Sequence, residues 1–76
     1  MEADTVGQRL RDLREKQGLS RPALAAKAHV RVSAIHAVES GKRHGKRLTL
    51  ETGIRLARAL GVSLDYLAGT YEEMEG

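Results

Sequence analysis

Positively charged side chains are concentrated in one short stretch near the middle of the chain. Residues 42–47 have the sequence KRHGKR, so Gly45 alone among them lacks a basic side chain. Guanidinium and ammonium groups bind phosphate oxygens through charge-assisted hydrogen bonds. Such a run is either an ordinary solvated surface or a contact for a polyanion, and its neighbours in the fold must decide between the two.

The charge of the whole chain favours a polyanionic partner. The chain has thirteen Lys and Arg and ten Asp and Glu. Three of these acids, Glu72, Glu73 and Glu75, are among its last five residues. Without those three, 13 − 7 leaves a charge of +6, which is typical of nucleic-acid binding but also compatible with ordinary solubilising charge. With two Tyr and no Phe or Trp, the chain is poor in residues that stack on single-stranded nucleic acid.

Catalysis and metal binding find little support in the sequence. The chain has no Cys, and His29, His36 and His44 are widely spread, with Glu39 as the one acid near them. We therefore expect no enzymatic activity, cofactor, metal site or small-molecule ligand. No apolar run is long enough to span a membrane and no signal-peptide pattern opens the chain, so we predict a cytoplasmic, nucleoid-associated protein without membrane contact.

The centre of the chain, residues 20–41, contains two short helical patterns separated by a tight break at residues 28–30. The apolar residues on their buried faces are Leu24, Ala25, Ala28, Ile35 and Val38. Helices of about two turns are not stable alone in water, so they must pack on each other and on the rest of the chain. This arrangement is typical of a helix-turn-helix.

Three further helices are predicted around this pair. The first runs from Val6 to about Gln17, and a fourth follows the cap residue Thr49 over residues 50–60. A short fifth helix follows Ser63. The residues expected to be buried are Leu50, Ile54, Ala57 and Leu60 in the fourth helix and Leu64 and Leu67 in the fifth.

Two runs of the sequence resemble one known family. The first is LAAKAHVRVSAIHAVESGKR, residues 24–43, and the second is LARALGVSLDYLAG, residues 56–69. Together they resemble the phage-repressor (Cro/repressor-like, XRE-type) helix-turn-helix family. The resemblance implies an all-α, compact five-helix fold in a single domain, residues 1–76, with its core over about 6–69, the helix-turn-helix over 20–41 and an acidic tail over 70–76.

The sequence departs from the family pattern at the turn. His29 stands where the family usually has Gly, at a position that needs left-handed backbone. Arg31 occupies the cap position of the third helix, where the family prefers Ser or Thr, so Ser33 could instead cap a shorter helix. The basic loop is a few residues longer than is usual.

The resemblance also implies which residues contact DNA. Base contacts are expected from the outward residues of the third helix, Arg31, Val32, Ser33, His36 and Ala37. Phosphate contacts are expected from Ser20, Arg21, Ser40 and the basic loop residues Lys42, Arg43, His44, Lys46 and Arg47. For the loop, its place beside a groove-binding helix favours phosphate contact over a merely solvated charge run.

Two further roles come with the resemblance. Arg14 and Glu39 are expected to form a partly buried ion pair that joins the first helix to the third. Leu48, Tyr66, Leu67 and Tyr71 are the candidates for a homodimer interface, with completion of the monomer core as the alternative.

These features predict a sequence-specific regulator that binds double-stranded DNA as a homodimer on a two-fold symmetric operator, most often as a repressor. The alternative is an antitoxin-like or adaptor module that uses the same fold to bind a protein. The basic loop, residues 42–47, separates the two hypotheses, because a DNA-binding protein needs it and an adaptor does not.

Overall fold

The described part of the chain, residues 6–40 and 49–68 of a computed structural model, contains five α-helices. They are α1 (Val6–Lys16), α2 (Arg21–Ala28), α3 (Val32–Ser40), α4 (Leu50–Leu60) and α5 (Leu64–Ala68). The all-α prediction is confirmed, and the only shifted boundary is the end of α1, one residue earlier than predicted.

Hydroxyl side chains fix the beginnings of three helices. Ser20 Oγ accepts a hydrogen bond from the backbone N–H of Ala23 at 3.1 Å, and Thr49 Oγ1 accepts one from Thr52 at 3.2 Å. Ser63 does the same for Tyr66 at 3.0 Å. Each bond satisfies one of the N–H groups that the first turn of a helix leaves without a partner.

Three helices end in the same left-handed turn. The left-handed residues are Gly18, two residues past α1, and His29 and Gly61, directly past α2 and α4, with φ of 69°, 61° and 76°. In each case the following N–H bonds a carbonyl five residues back, as Val30 does with Ala25 at 3.0 Å. This is the Schellman arrangement, which satisfies the last carbonyls of a helix. The left-handed turn predicted at His29 is confirmed.

The core takes side chains from every helix. Leu10, Leu24, Ile35, Leu56 and Leu67 are fully buried. Helix α1 packs on α3 and α5, α2 packs on α3 and α4, and α4 packs on α5. The two helices of the helix-turn-helix are therefore supported from opposite sides by α1 and α4.

The buried face of α4 differs from the predicted one. Leu50 is 69% exposed and Ile54 is 38% exposed, whereas Gly53 and Leu56 are buried. Positions 53, 56, 57 and 60 follow the i, i+3, i+4, i+7 spacing of one helix face. Gly53 is therefore part of the buried face of α4, and Leu50 and Ile54 lie outside it, on the exposed part of the helix.

The side chain of Leu67 does not reach the protein surface. It was predicted both as an inward residue of the fifth helix and as part of a dimer interface, and its side chain is fully buried in the monomer core. A second subunit cannot contact it while α5 stays in place, so we leave Leu67 out of the predicted interface.

Side chains of α1 and of the turn that follows it hold the ends of the last two helices. Arg9 Nε donates to the carbonyl of Leu67 at 3.3 Å, and Gln17 Nε2 donates to that of Leu60 at 2.8 Å. Both carbonyls belong to the last turn of a helix, where no backbone partner is available within the helix. These bonds attach α4 and α5 to α1.

Helix α1 approaches α3 most closely at Gly7. A Cβ atom at this buried glycine would clash with the carbonyl oxygen of Val38 and would lie 3.2 Å from Cα of Glu39. Only a residue without a side chain lets the two backbones come this near. No pattern in the sequence marks Gly7 as the point of this contact.

Replacing Gly7 should separate α1 from α3. Alanine is the better helix former by about 1 kcal/mol, so propensity alone would stabilise a Gly7→Ala variant. We expect a net loss of about 1–3 kcal/mol in the free energy of unfolding, because the new methyl group overlaps backbone that cannot yield. Urea denaturation followed by circular dichroism measures this, and a variant as stable as the wild type would contradict the close approach.

Replacing His29 should have the opposite effect. Left-handed backbone is unfavourable for any residue with a Cβ atom, so His29→Gly should raise the free energy of unfolding by about 1 kcal/mol. His29→Ala is the matched control, because it removes the imidazole but keeps the backbone cost. Equal stability of the two variants would show that the turn is not strained.

Candidate nucleic-acid interface

The helix-turn-helix predicted over residues 20–41 contains the helices α2 and α3, which pack through apolar side chains. Leu24, Ala25 and Ala28 of α2 are buried, as are Ile35 and Val38 of α3. Since these residues hold the pair to the core, the opposite side of α3 is the one that remains accessible.

That accessible side carries the predicted base-contacting residues. Val32, Ser33 and His36 are exposed on α3, Arg31 is exposed just before it, and Ala37 is half-buried beside them. The structure therefore brings all five together at the surface, around the first two turns of α3. An α-helix of this diameter fits into the major groove of B-DNA.

Helix α3 begins at Val32 and not at Ser33. The carbonyl of Arg31 accepts hydrogen bonds from the N–H groups of Ala34 at 3.0 Å and Ile35 at 3.4 Å. Arg31 thus occupies the cap position with its backbone, and its side chain remains at the surface. A cation therefore replaces the expected hydroxyl cap, beside the exposed side of α3.

The Glu39 carboxylate lies at the junction of three helices. Its side chain is 1% exposed, and the Arg14 side chain beside it is 9% exposed. Arg14 Nε lies 2.7 Å from Oε2 of Glu39, and Arg14 Nη2 lies 3.1 Å from Oε1. The third nitrogen, Nη1, donates to the carbonyl of Leu19 at 2.9 Å. The predicted ion pair between α1 and α3 is thus present and bidentate.

Arg21 is the second partner of this carboxylate, and the sequence analysis missed that role. Its Nε donates to Oε1 of Glu39 at 2.9 Å, while 38% of its side chain is exposed. Arg21 was predicted only as a phosphate contact at the start of α2. Glu39 was already identified as the lone acid among many cations, which is the signal that could have suggested a second basic partner.

The two arginines keep Glu39 ionised. Burial by itself raises the pKa of the Glu39 carboxyl, but hydrogen bonds from Arg14 and Arg21, together with their charges, outweigh it and lower the pKa below its ordinary value. The hydrogen bond to Glu39 in turn raises the pKa of Arg14. One carboxylate faces two guanidinium groups, so the cluster keeps one net positive charge.

The remaining predicted phosphate contacts divide into two groups. Ser20 is exposed at the start of α2, and exposed Ser40 donates from Oγ to the carbonyl of Ala37 at 2.9 Å. The basic loop residues Lys42, Arg43, His44, Lys46 and Arg47 lie outside the described residues.

A comparison with known protein families decides the identity of this fold. A family model described as helix-turn-helix matches residues 10–67, which is most of the chain. The chain belongs to this helix-turn-helix family. No curated protein and no solved structure gave a match.

Family membership confirms the resemblance to the phage-repressor, XRE-type group. The chain is a DNA-binding helix-turn-helix regulator, and its partner is double-stranded DNA. The match extends from α1 into α5, so the helices that support α2 and α3 belong to the family pattern as well.

Helices α4 and α5 of this helix-turn-helix protein expose apolar side chains. Leu50, Ile54 and Tyr66 are the large hydrophobic residues exposed there. Ile54 also lines a shallow groove of about 260 Å³ together with Val62 and Leu64. Of the other predicted dimer residues, Leu48 and Tyr71 lie outside the described residues.

Neither a metal-binding cluster nor a membrane-spanning helix is found among the described residues, 6–40 and 49–68. Within them, no group of three or more His, Asp or Glu side chains is placed to hold a metal ion. None of the helices found there is long and apolar enough to cross a membrane.

The Glu39 cluster should make stability depend on pH. Because the pKa of Glu39 is lowered by folding, its ionisation stabilises the fold above the ordinary glutamate pKa of about 4.3, and this contribution is lost as the pH falls toward the folded-state pKa. Glu39→Gln should therefore cost about 3 kcal/mol at neutral pH, and less in acid. Urea unfolding at several pH values measures the difference.

The control for this experiment is Glu51→Gln, which removes an exposed carboxylate that pairs with Arg55 on the surface of α4. It should change stability by less than about 1 kcal/mol. A Glu39→Gln defect that stays constant from neutral to acidic pH would show that the ionised carboxylate is not what stabilises the junction.

Proposed function

We propose that this helix-turn-helix protein is a sequence-specific transcriptional repressor that binds a two-fold symmetric operator as a homodimer. The observation that carries the proposal is the two-sided character of α3. Ile35 and Val38 are buried on one side, and Val32, Ser33 and His36 are exposed on the other. A helix anchored in this way presents a fixed set of side chains to the major groove.

The exposed side chains have defined chemistry toward bases. Arg31 can donate two hydrogen bonds to the O6 and N7 edge of guanine, and Val32 and Ala37 can contact the methyl group of thymine. Ser33 can donate or accept, so it discriminates weakly, and His36 can bond a base or a phosphate. Without Asn or Gln on this face, selectivity rests on Arg31, on thymine methyls and on DNA shape.

Phosphate contacts supply affinity in this proposal. The start of α2 offers backbone N–H groups beside Ser20. Arg21 gives one nitrogen to Glu39 and remains partly exposed, so its outer N–H groups are available to a phosphate on the same side. Ser40 and the basic loop, residues 42–47, complete the proposed set.

The proposed dimer uses the exposed apolar side chains of α4 and α5. Tyr66 is one of the residues predicted for this role, and the exposure of the apolar Leu50 and Ile54 on α4 supports the proposal. Leu48 and Tyr71 extend the proposal into the adjoining sequence. Two subunits related by a two-fold axis would place their α3 helices about 34 Å apart, one turn of DNA.

In this proposal the protein represses transcription by occupying its operator. A dimer bound to an operator that overlaps a promoter excludes the transcription machinery, and no catalytic step is needed. We propose that the whole chain, residues 1–76, acts as one DNA-binding domain without a cofactor, small-molecule ligand or membrane contact, in the cytoplasm at the nucleoid.

Site selection from random duplex DNA tests this proposal. We expect enrichment of a two-fold symmetric site with half-sites one turn apart. Arg31→Ala and Ser33→Ala should then broaden the selected sequence, because both residues lie at the base-contacting start of α3. Lys42→Ala is the contrasting variant, which should weaken binding to all sequences and make the salt dependence shallower by about one unit.

Two outcomes would count against the proposal. An unchanged selected sequence in both α3 variants would mean that another surface contacts the bases. Weak, unselective binding by the wild type that disappears near physiological salt would leave only the basic charge explained, and would favour the antitoxin-like or adaptor role.

A further inference from the structure

A second basic surface lies between the end of α2 and α4. It is an open cleft of about 550 Å³ lined by Lys27, Ala28, His29, Arg55, Arg58 and Ala59. None of these six residues is acidic, and the two alanines leave room for a ligand to approach the helices. None of them was among the phosphate contacts predicted from the sequence.

The cleft contains three exposed cations, one of which, Arg55, is held by hydrogen bonds. Arg55 Nη1 donates to the carbonyl of His29 at 2.9 Å, and Nη2 donates to Oε2 of Glu51 at 2.8 Å. Its charge is therefore largely neutralised and its position is set. Lys27 and Arg58 are exposed, and neither forms an ion pair with any residue in the described ranges. The charges of Arg55 and Glu51 cancel, so the surface keeps a charge of about +2 from Lys27 and Arg58.

This surface is continuous with the base-contacting end of α3. A smaller groove of about 230 Å³ shares His29 and Arg55 with the cleft and is also lined by Arg31, Ala34 and Glu51, the carboxylate that pairs with Arg55. The described acids other than Glu39 and Glu51 are Asp12 and Glu15 on α1 and Asp65 on α5. A positively charged path thus leads from the start of α3 around the turn to α4, with the remaining acids on other helices.

We propose that Lys27 and Arg58 bind backbone phosphates of the DNA duplex that α3 occupies, outside the base pairs that α3 contacts. The inference rests on the proposed function. Duplex DNA carries one negative charge per about 1.7 Å of its axis, so a duplex that extends past α3 along this path offers phosphates to both side chains. Such contacts add affinity and orientation without sequence information.

Substitution of Lys27 and Arg58 tests the proposal. Lys27→Gln and Arg58→Gln remove one charge each, and neither should disturb the fold, since both residues are exposed. Binding is measured against salt on two duplexes, one ending at the selected site and one extended by about 5 base pairs, half a helical turn, on each side. On the extended duplex each variant should make the slope of log K against log salt shallower by about 0.9.

On the short duplex we expect both variants to match the wild type, and the selected sequence should stay unchanged. Lys16→Gln is the charge-matched control, because it removes one exposed cation from the end of α1 and should leave the dependence on duplex length unaltered. Thermal unfolding of each variant confirms that the fold is retained.

The outcomes separate this inference from the proposed function. A wild-type protein that selects no site would overturn the proposed function and this inference with it. A wild type that selects a site, while Lys27→Gln and Arg58→Gln leave the slope on the extended duplex unchanged, would overturn this inference alone. Equal weakening on both duplexes would also overturn it, since the contacts would then lie within the selected site.

Discussion

The placement of α3 depends on the buried carboxylate of Glu39. Its oxygens form ion pairs with Arg14 of α1 at 2.7 Å and with Arg21 of α2 at 2.9 Å. Glu39 itself belongs to α3. A buried charge is tolerated only when its partners are present and well oriented. The three helices can therefore satisfy this group in one relative arrangement, and that arrangement fixes the direction in which α3 presents its exposed side chains.

The close approach of α1 to α3 sets the geometry of the ion pairs at Glu39. Gly7 lets α1 approach the backbone of α3 at Val38 and Glu39, which brings Arg14, two turns further along α1, within reach of the carboxylate. Helices of eight and nine residues, such as α2 and α3, gain little from their own hydrogen bonds. Neighbouring helices set their orientation, so a loss of the contact between α1 and α3 would change how α3 presents its exposed side chains without altering those side chains themselves.

Much of this architecture could be predicted because it rests on local rules. Cap residues such as Ser20 and Thr49 and left-handed turns at Gly18 and His29 are encoded within a few residues, and so are helix boundaries. The buried face of α4 could not be predicted in the same way, since Leu50 and Ile54 satisfy helical spacing as well as Leu56 does. Only the positions of α2 and α5 decide which face is covered.

The same limit applies to the candidate interface. Its proposed base contacts and the pairing of Arg14 with Glu39 both follow from the family resemblance. The second role of Arg21 and the cleft beside Lys27 and Arg58 depend on how separate helices meet, which no local pattern encodes. Because phosphate contacts need only charge and position, they can arise wherever the fold brings cations to the edge of a groove-binding helix, and a structure is needed to find them.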